Sequence, residues 1–407
     1  MSMRGLAASV ALSPLLLVGA GGQGLPTALP ASGFEPRERA DQLDMPAPEA
    51  EALRKDALAR AKLWRQPAIM DLRENPPGPG FFPVDAELIC KFHPGKSSGA
   101  TPKFECVFEG GEVLKVKYGR NPEIHTEVAA TRLLETLGAG ADRMYLVKTL
   151  RCFGCPDDPH EVLRCISSPL EEVRRVCLPR YGEITPDGAF KMSVDYTKYV
   201  DFGPVAIERR MAGLAIETKE KQGWGWDELE ELQFTGRGAT RAERDAFRLL
   251  AVFLNNWDNR PDNQRLLCLP GPVRPDGHCP QPFAYMQDVG GTFGRVGAES
   301  KEQRKLDVEG WRAVPIWDDP QTCRVSIKSP PLHGATFGEA TIAETGRRFL
   351  AERLSALSER QIRDLFEGSG FARFEWASPA SRDPGQWVNA FADKVRQIAE
   401  REPCRTP

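Results

Sequence analysis

The segment Leu254-Asn-Asn-Trp-Asp258-Asn-Arg260-Pro-Asp262-Asn263-Gln ends a long apolar run and concentrates side-chain oxygens. Asp258 and Asn263 stand five residues apart, with Arg260 and Pro261 between them. Downstream, Ala284-Tyr-Met-Gln-Asp288-Val-Gly290-Gly291 sets a second carboxylate behind an apolar stretch and ahead of two glycines. Carboxylates and a carboxamide gathered this way are oxygen groups that can exchange protons or ligate hard cations. A turn rich in Asp and Asn that merely ends a helix is the bland alternative. A single turn does not account for the charged residues upstream.

Those residues are Lys115, Lys117 and Glu127. Glu112–Tyr118 reads as a strand in which both lysines face one side and Leu114 and Val116 the other. Pro122 opens a helix that Gly138 closes, with Ile124, Val128, Thr131 and Leu134 on one face. Glu127 lies beside that apolar stripe, where an unpaired carboxylate is costly, so it requires a cation. Lys117 is the expected partner, with Lys115 next. The alternative is a surface charge pair on an edge strand.

In this order the residues resemble the protein-kinase-like fold, in which a strand lysine and a helix glutamate precede an Asp-x-x-x-x-Asn loop and an Asp-x-Gly. The nearest in style are its atypical branches: HipA-like kinases, phosphoinositide kinases and the secretory Golgi casein kinase group, here as an exported member of bacterial type. The resemblance spans about 86–295 and lacks Gly-x-Gly-x-x-Gly, His-Arg-Asp and Ala-Pro-Glu. It implies that Asp258 is the catalytic base, that Asp288 and Asn263 are metal ligands, and that Arg260 stabilises the charge of the transferred phosphoryl group. It further implies that Lys117, or Lys115, holds the ATP phosphates with Glu127 behind it. Adenine is expected at a hinge near Glu208–Gly213. The cofactors so implied are ATP and Mg2+ or Mn2+, and the partner is an unspecified hydroxyl-bearing acceptor. The alternatives are a catalytically silent kinase-like binding module and nucleotidyl transfer on the same scaffold.

Two look-alikes are set aside. Asp201-Phe202-Gly203 spells a kinase metal motif but precedes the catalytic loop. Gly95-Lys96-Ser97 resembles the end of a phosphate-binding loop, yet Cys90 occupies the position where that loop needs glycine. It fits better as a loose phosphate-covering hairpin, Gly95–Gly99.

The elements that must carry these residues predict an α+β chain with a β-rich N-terminal lobe and a mainly helical C-terminal lobe. Residues 23–85 read as linker plus a helix over 49–65, and 86–212 as the N-lobe up to the hinge. The C-lobe follows over 213–407, with the catalytic loop at 257–263 and the metal motif at 288–290. Strand-like runs at 87–92, 103–109 and 112–118 form a meander. Residues 145–215 read as mixed strands and loops. Thr240 with Glu243, and Ser358 with Gln361, are capping boxes that open two helices.

The chain has 407 residues, with 54 Lys and Arg against 57 Asp and Glu, so no basic excess exists for nucleic acid. Hydrophobic residues at 41% support a core, and a mean hydropathy of −0.41 excludes a polytopic membrane protein. Arg4, the apolar run to Ala20 and the small residues at 19–22 predict a signal peptide over 1–22. An exported chain, periplasmic or secreted, is therefore expected, with no transmembrane span once mature. Ten cysteines then read as structural disulfides, with Cys268 and Cys279 the leading pair. Zinc at Cys152-Phe-Gly-Cys155 lacks a second close pair. A redox motif there lacks a strand-to-helix context, because the following stretch is rich in Pro and Asp.

Overall fold

The computed structural model describes residues 47–95, 99, 101–186, 190–218, 220–231, 237–270, 278–295, 305–327 and 334–404. The expected signal peptide, and residues 96–98 of the expected hairpin, lie outside the described residues.

Helix α1 (Ala47–Arg60) leads into a long connector and then the meander β1 (Glu87–His93), β2 (Lys103–Val107) and β3 (Val113–Lys117). Helix α2 (Glu123–Leu137) follows, capped by Gly138 in the left-handed region at φ 83°. Next come β4 (Arg143–Val147), β5 (Thr149–Phe153), α3 (Pro159–Ile166), α4 (Glu171–Cys177), β6 (Gly182–Ile184), β7 (Phe190–Met192), β8 (Tyr199–Phe202) and β9 (Val205–Arg209). Seven of these strands form one sheet in the order β4-β9-β3-β2-β1-β5-β8, parallel only between β1 and β5.

Alternation along the strands gives this sheet two unlike faces. Phe104, Cys106, Leu114, Val116 and Ile207 enter one hydrophobic core. On the opposite face Met144 and Ala206 pack against Ile124 and Val128 of α2. Lys115 and Lys117 share this second face with Glu208, which stands directly across from Lys115 in the β3–β9 register. The strand pattern thus delivers the charged residues to the side that α2 covers.

The connector after α1 is packed rather than loose. Leu63, Trp64 and Leu72 are buried. Asn75 accepts from Arg132 of α2 at 2.6 Å and from the backbone of Leu146 at 3.0 Å. It ties the connector to helix and sheet together.

The second half contains β10 (Leu214–Ala215), α5 (Trp226–Glu231), α6 (Arg241–Leu254), β11 (Gln264–Cys268) and β12 (Pro282–Met286). It continues through α7 (Val308–Ala313), β13 (Arg324–Val325), β14 (Ala340–Thr341), α8 (Glu344–Ser355), α9 (Glu359–Gly368) and α10 (Pro384–Ala399). Strands β10, β11 and β12 make a small antiparallel sheet beside the helices. Both expected capping boxes are present, at Thr240 and Ser358. None of the described helices is long and apolar enough to cross a membrane.

Two short helices correct the reading of 145–215 as strands and loops. Asp158 caps α3 by accepting from the amides of His160 and Glu161, with Pro159 in the first turn. Helix α4 buries no residue, and the Cys165–Cys177 disulfide joins it to α3. Cys152 lies in β5 and Cys155 just beyond it, with α3 following, so the strand-to-helix context judged missing is there. The two cysteines are bonded to each other. The other disulfides are Cys90–Cys106, Cys268–Cys279 and Cys323–Cys404. With no free cysteine left, the set fits an oxidising, extracytoplasmic compartment.

Candidate active site

Between the large sheet, α2 and the small sheet lies a cluster of buried charges. Lys117, at the end of β3, is 1% exposed. Its Nζ donates to Glu123 Oε2 at 2.9 Å, touches the Glu127 carboxylate, and stands 3.8 Å from Asp288 Oδ1. Glu123 and Glu127 are one helical turn apart, so both reach the strand lysine from the same face of α2. Lys115 instead pairs with Glu208 at 2.7 Å.

Glu123 is a residue that the sequence reading passed over. It accepts from Lys117 and from Lys305 at once. Burial opposes its charge, yet the two ammonium groups hold its carboxyl well below the usual carboxylate range. Glu127 goes the other way: burial, reinforced by Asp288 and Glu208 against Lys117, lifts it to about 8. Its Oε2 has no hydrogen-bond donor, only the ion contact with Lys117. Carboxylate oxygens of Glu123, Glu127 and Asp288 all lie within 4.8 Å of one another.

The loop opposite is set by α6. Asn255 ends that helix at φ 54°, a left-handed conformation that asparagine tolerates. Asn263 donates to the Asp258 carbonyl at 2.7 Å, closing the five-residue loop on itself. Its own carbonyl accepts from the amides of Gln287 at 3.0 Å and Asp288 at 3.1 Å, so the two polar segments are joined by backbone. Asn259 pins the loop to the C-terminal half by accepting from the amides of Thr336 and Phe337. Arg260 donates to Asp258 at 2.9 Å and lies 3.8 Å from Asp262. Burial raises the Asp258 carboxyl, and Arg260 partly offsets this.

Gly290 sits where a side chain would collide, and Gly291 where one would be tight. A Cβ on Gly290 would lie 2.7 Å from Glu123 Cγ, and one on Gly291 3.2 Å from Asp258 Cβ. Glycine here lets the backbone pass between the helix carboxylate and the loop carboxylate. Beyond it, Phe293 enters an aromatic cluster with Trp311, Phe366, Phe371 and Trp387.

Glu208, expected at a hinge, lies inside β9, with its backbone paired to β3 and β4. Its peptide groups are therefore committed to the sheet, and the connector to β10 is the segment 210–213. The Glu208 side chain accepts from Lys115 and from Gln287, which in turn accepts from Arg265 at 2.6 Å. Lys115 and Lys117 outweigh burial and hold Glu208 down at about 2.

Two cavities open along this seam. One, of about 340 Å³, is walled by Lys103, Lys115, Arg260, Asp262, Asn263 and Asp288. The other, of about 540 Å³, is walled by Leu114, Met211, Gly213, Leu267 and Tyr285. Arg210 and Arg265 border both. Compared with known proteins, the chain matches no family model, no curated protein and no solved structure.

The arrangement offers three carboxylates at metal-binding separation, cations beside them, and the half-buried Asp258 carboxylate across a gap. The donors are all oxygen, which suits a hard divalent ion rather than a soft one. Glu127 Oε2, whose contact is the ion pair with Lys117, and the glycine cradle beside Glu123 fit such an ion.

Proposed function

We propose that the chain is a kinase-like phosphotransferase that moves the γ-phosphoryl group of ATP, with Mg2+ or Mn2+, to a hydroxyl acceptor. The observation that carries this reading is the buried Lys117, in contact with Glu127 and Glu123 and 3.8 Å from Asp288. A binding module gains nothing from burying so many charges together, since each is expensive to desolvate.

The roles follow from position. Asp288, Glu123 and Glu127, with the Asn263 amide oxygen, would hold the metal, which when bound neutralises phosphate charge. Lys117 binds the phosphates once they replace part of its carboxylate shell. Asp258, raised by burial and oriented by Arg260, accepts the proton of the acceptor hydroxyl. The freed oxygen bonds to the γ-phosphorus, the bond from that phosphorus to the bridging oxygen breaks, and ADP leaves. The cavity of about 540 Å³, where Leu114, Met211 and Leu267 stand among Arg209, Arg210 and Glu112, is where a purine is expected.

Thermal unfolding with ATP, with and without Mg2+ or Mn2+, tests this reading. Binding to the folded state raises stability by RT ln(1 + [L]/Kd). A rise that requires both ATP and metal is expected. No rise with any combination would reject the reading.

A further inference from the structure

Lys305 belongs to none of the expected motifs, yet it is buried in the middle of the cluster. Its ammonium contacts Glu123 Oε1 and lies 5.8 Å from the centre of the Trp257 ring. The adjoining Asp258 carboxyl also feels its charge. Lys305 thus faces the metal-side carboxylate of α2 and, through Trp257 and Asp258, the loop that would receive the acceptor. The line between those two is the path of a group in transfer.

The backbone is bent to keep it there. Leu306 has φ 53°, a left-handed conformation unfavourable for a branched L-residue. In that conformation Leu306 is buried in the core while Lys305 reaches the cleft. The amide of Asp307 donates to the Phe293 carbonyl at 2.8 Å, fastening the turn to the segment that follows Gly291.

Charge balance then sets a requirement. Glu123 serves two lysines here, and a divalent ion on Glu123 competes with both. Lys117 is shared among Glu123, Glu127 and Asp288, whereas among the described residues Lys305 has Glu123 as its ion-pair partner. A cation displaced from that carboxylate needs another anion, and the group in transfer provides one at the same place.

We propose that Lys305 is a catalytic residue shared between two anions: it neutralises Glu123 in the metal-free site and moves to the transferred phosphoryl group when metal and nucleotide are present. This rests on the phosphotransferase reading above. It adds a second charge stabiliser, opposite Arg260, for the developing charge.

The test compares wild type, Lys305→Gln and Lys305→Arg. Mn2+ binding without nucleotide is measured by calorimetry, and ATP consumption in the presence of Mn2+ gives kcat and KM. Removing the competing cation should tighten Mn2+ binding about tenfold in Lys305→Gln. Its kcat should fall about 10²-fold, with KM for ATP changed much less. Lys305→Arg should recover a large part of kcat. Unchanged or weaker Mn2+ binding in Lys305→Gln, or a kcat within threefold of wild type, would overturn the proposal. A lysine that only stabilises the fold would lower the melting temperature and leave both readouts of the folded protein alone. If wild-type protein binds Mn2+ but neither binds nor consumes ATP, the phosphotransferase reading fails. The Mn2+ comparison still decides whether Lys305 and metal compete for Glu123.

Discussion

Lys117 Nζ stands 3.8 Å from Asp288 Oδ1, joining the last residue of the meander to the second residue after β12. Neither group is at rest there without the other. Burial disfavours the charge on Lys117, and Asp288, Glu123 and Glu127 together raise its basicity well above that of a free lysine. The ion cluster therefore couples the two halves of the chain electrostatically as well as by contact.

Removing the cation should show this coupling. Lys117→Met leaves three acidic groups facing one another, and loss of one partner from a buried ion cluster costs about 3–5 kcal/mol. Lys115→Ala affects a partly exposed lysine with one carboxylate partner and should cost less. Urea unfolding of the two variants gives the order directly. A larger loss for Lys115→Ala would contradict the assignment of Lys117 as the central cation.

The raised Glu127 carboxyl gives a pH signature. Its ordinary value is 4.5 and its folded value about 8, so between these the folded protein holds a proton that the unfolded chain has released. Stability of the metal-free protein should therefore fall as pH rises through that window. Asp142, lifted by burial to about 6, contributes in the lower part. Glu127→Gln mimics the protonated form and should flatten the decline above pH 6. Equal slopes for wild type and variant in chemical denaturation from pH 5 to 8.5 would show that Glu127 is not the group responsible.

The glycine pair gives a steric prediction. Gly290→Ala places a methyl group against Glu123, and Gly291→Ala places one against Asp258 and Trp257. The first should weaken Mn2+ binding, because it pushes aside a metal-side carboxylate. The second should leave Mn2+ binding nearly intact and reduce turnover. Calorimetry and ATP consumption on the two variants separate these effects, and a reversed pattern would mean that the glycines serve only backbone geometry.

Disulfides of different span should contribute unequally. In the chain-entropy treatment, closing 81 residues by Cys323–Cys404 is worth about 4.5 kcal/mol, and closing 11 by Cys268–Cys279 about 2.8. Replacing each pair with alanine and comparing unfolding free energies tests the order. Thiol titration of unfolded, unreduced protein should find no reactive cysteine, and ten would refute the covalent framework.

Much of this site was legible because its residues lie on regular elements. Lys117 on an alternating strand, Glu127 on a helix with a clear apolar stripe, and Asp258 and Asn263 at a fixed spacing can all be placed from periodicity. Glu123 was equally accessible: it precedes Glu127 by one helical turn, which puts both on one face. Lys305 has no such signal, since it belongs to no described element and is buried beside a turn at Leu306. Glu208 was assigned to a hinge from chain order, but β9 continues through it, and only its register with Lys115 shows where the side chain points. Helix α4 buries no residue and so leaves no amphipathic pattern, whereas α3 buries Val162, Leu163 and Cys165 within only eight residues. The Asp158-Pro159 start was the available cue.

The central claim is a division of labour between two carboxylates, Asp288 for the metal–nucleotide complex and Asp258 for the acceptor. Calorimetric titration of ATP·Mg2+, or ATP·Mn2+, into wild type, Asp258→Asn and Asp288→Asn, with turnover measured on the same preparations, tests it most directly. The expected result is metal-dependent nucleotide binding in wild type, retained by Asp258→Asn with turnover abolished, and lost by Asp288→Asn. Equal loss of binding in both variants, or tight binding that needs no metal in any of the three, would contradict the account.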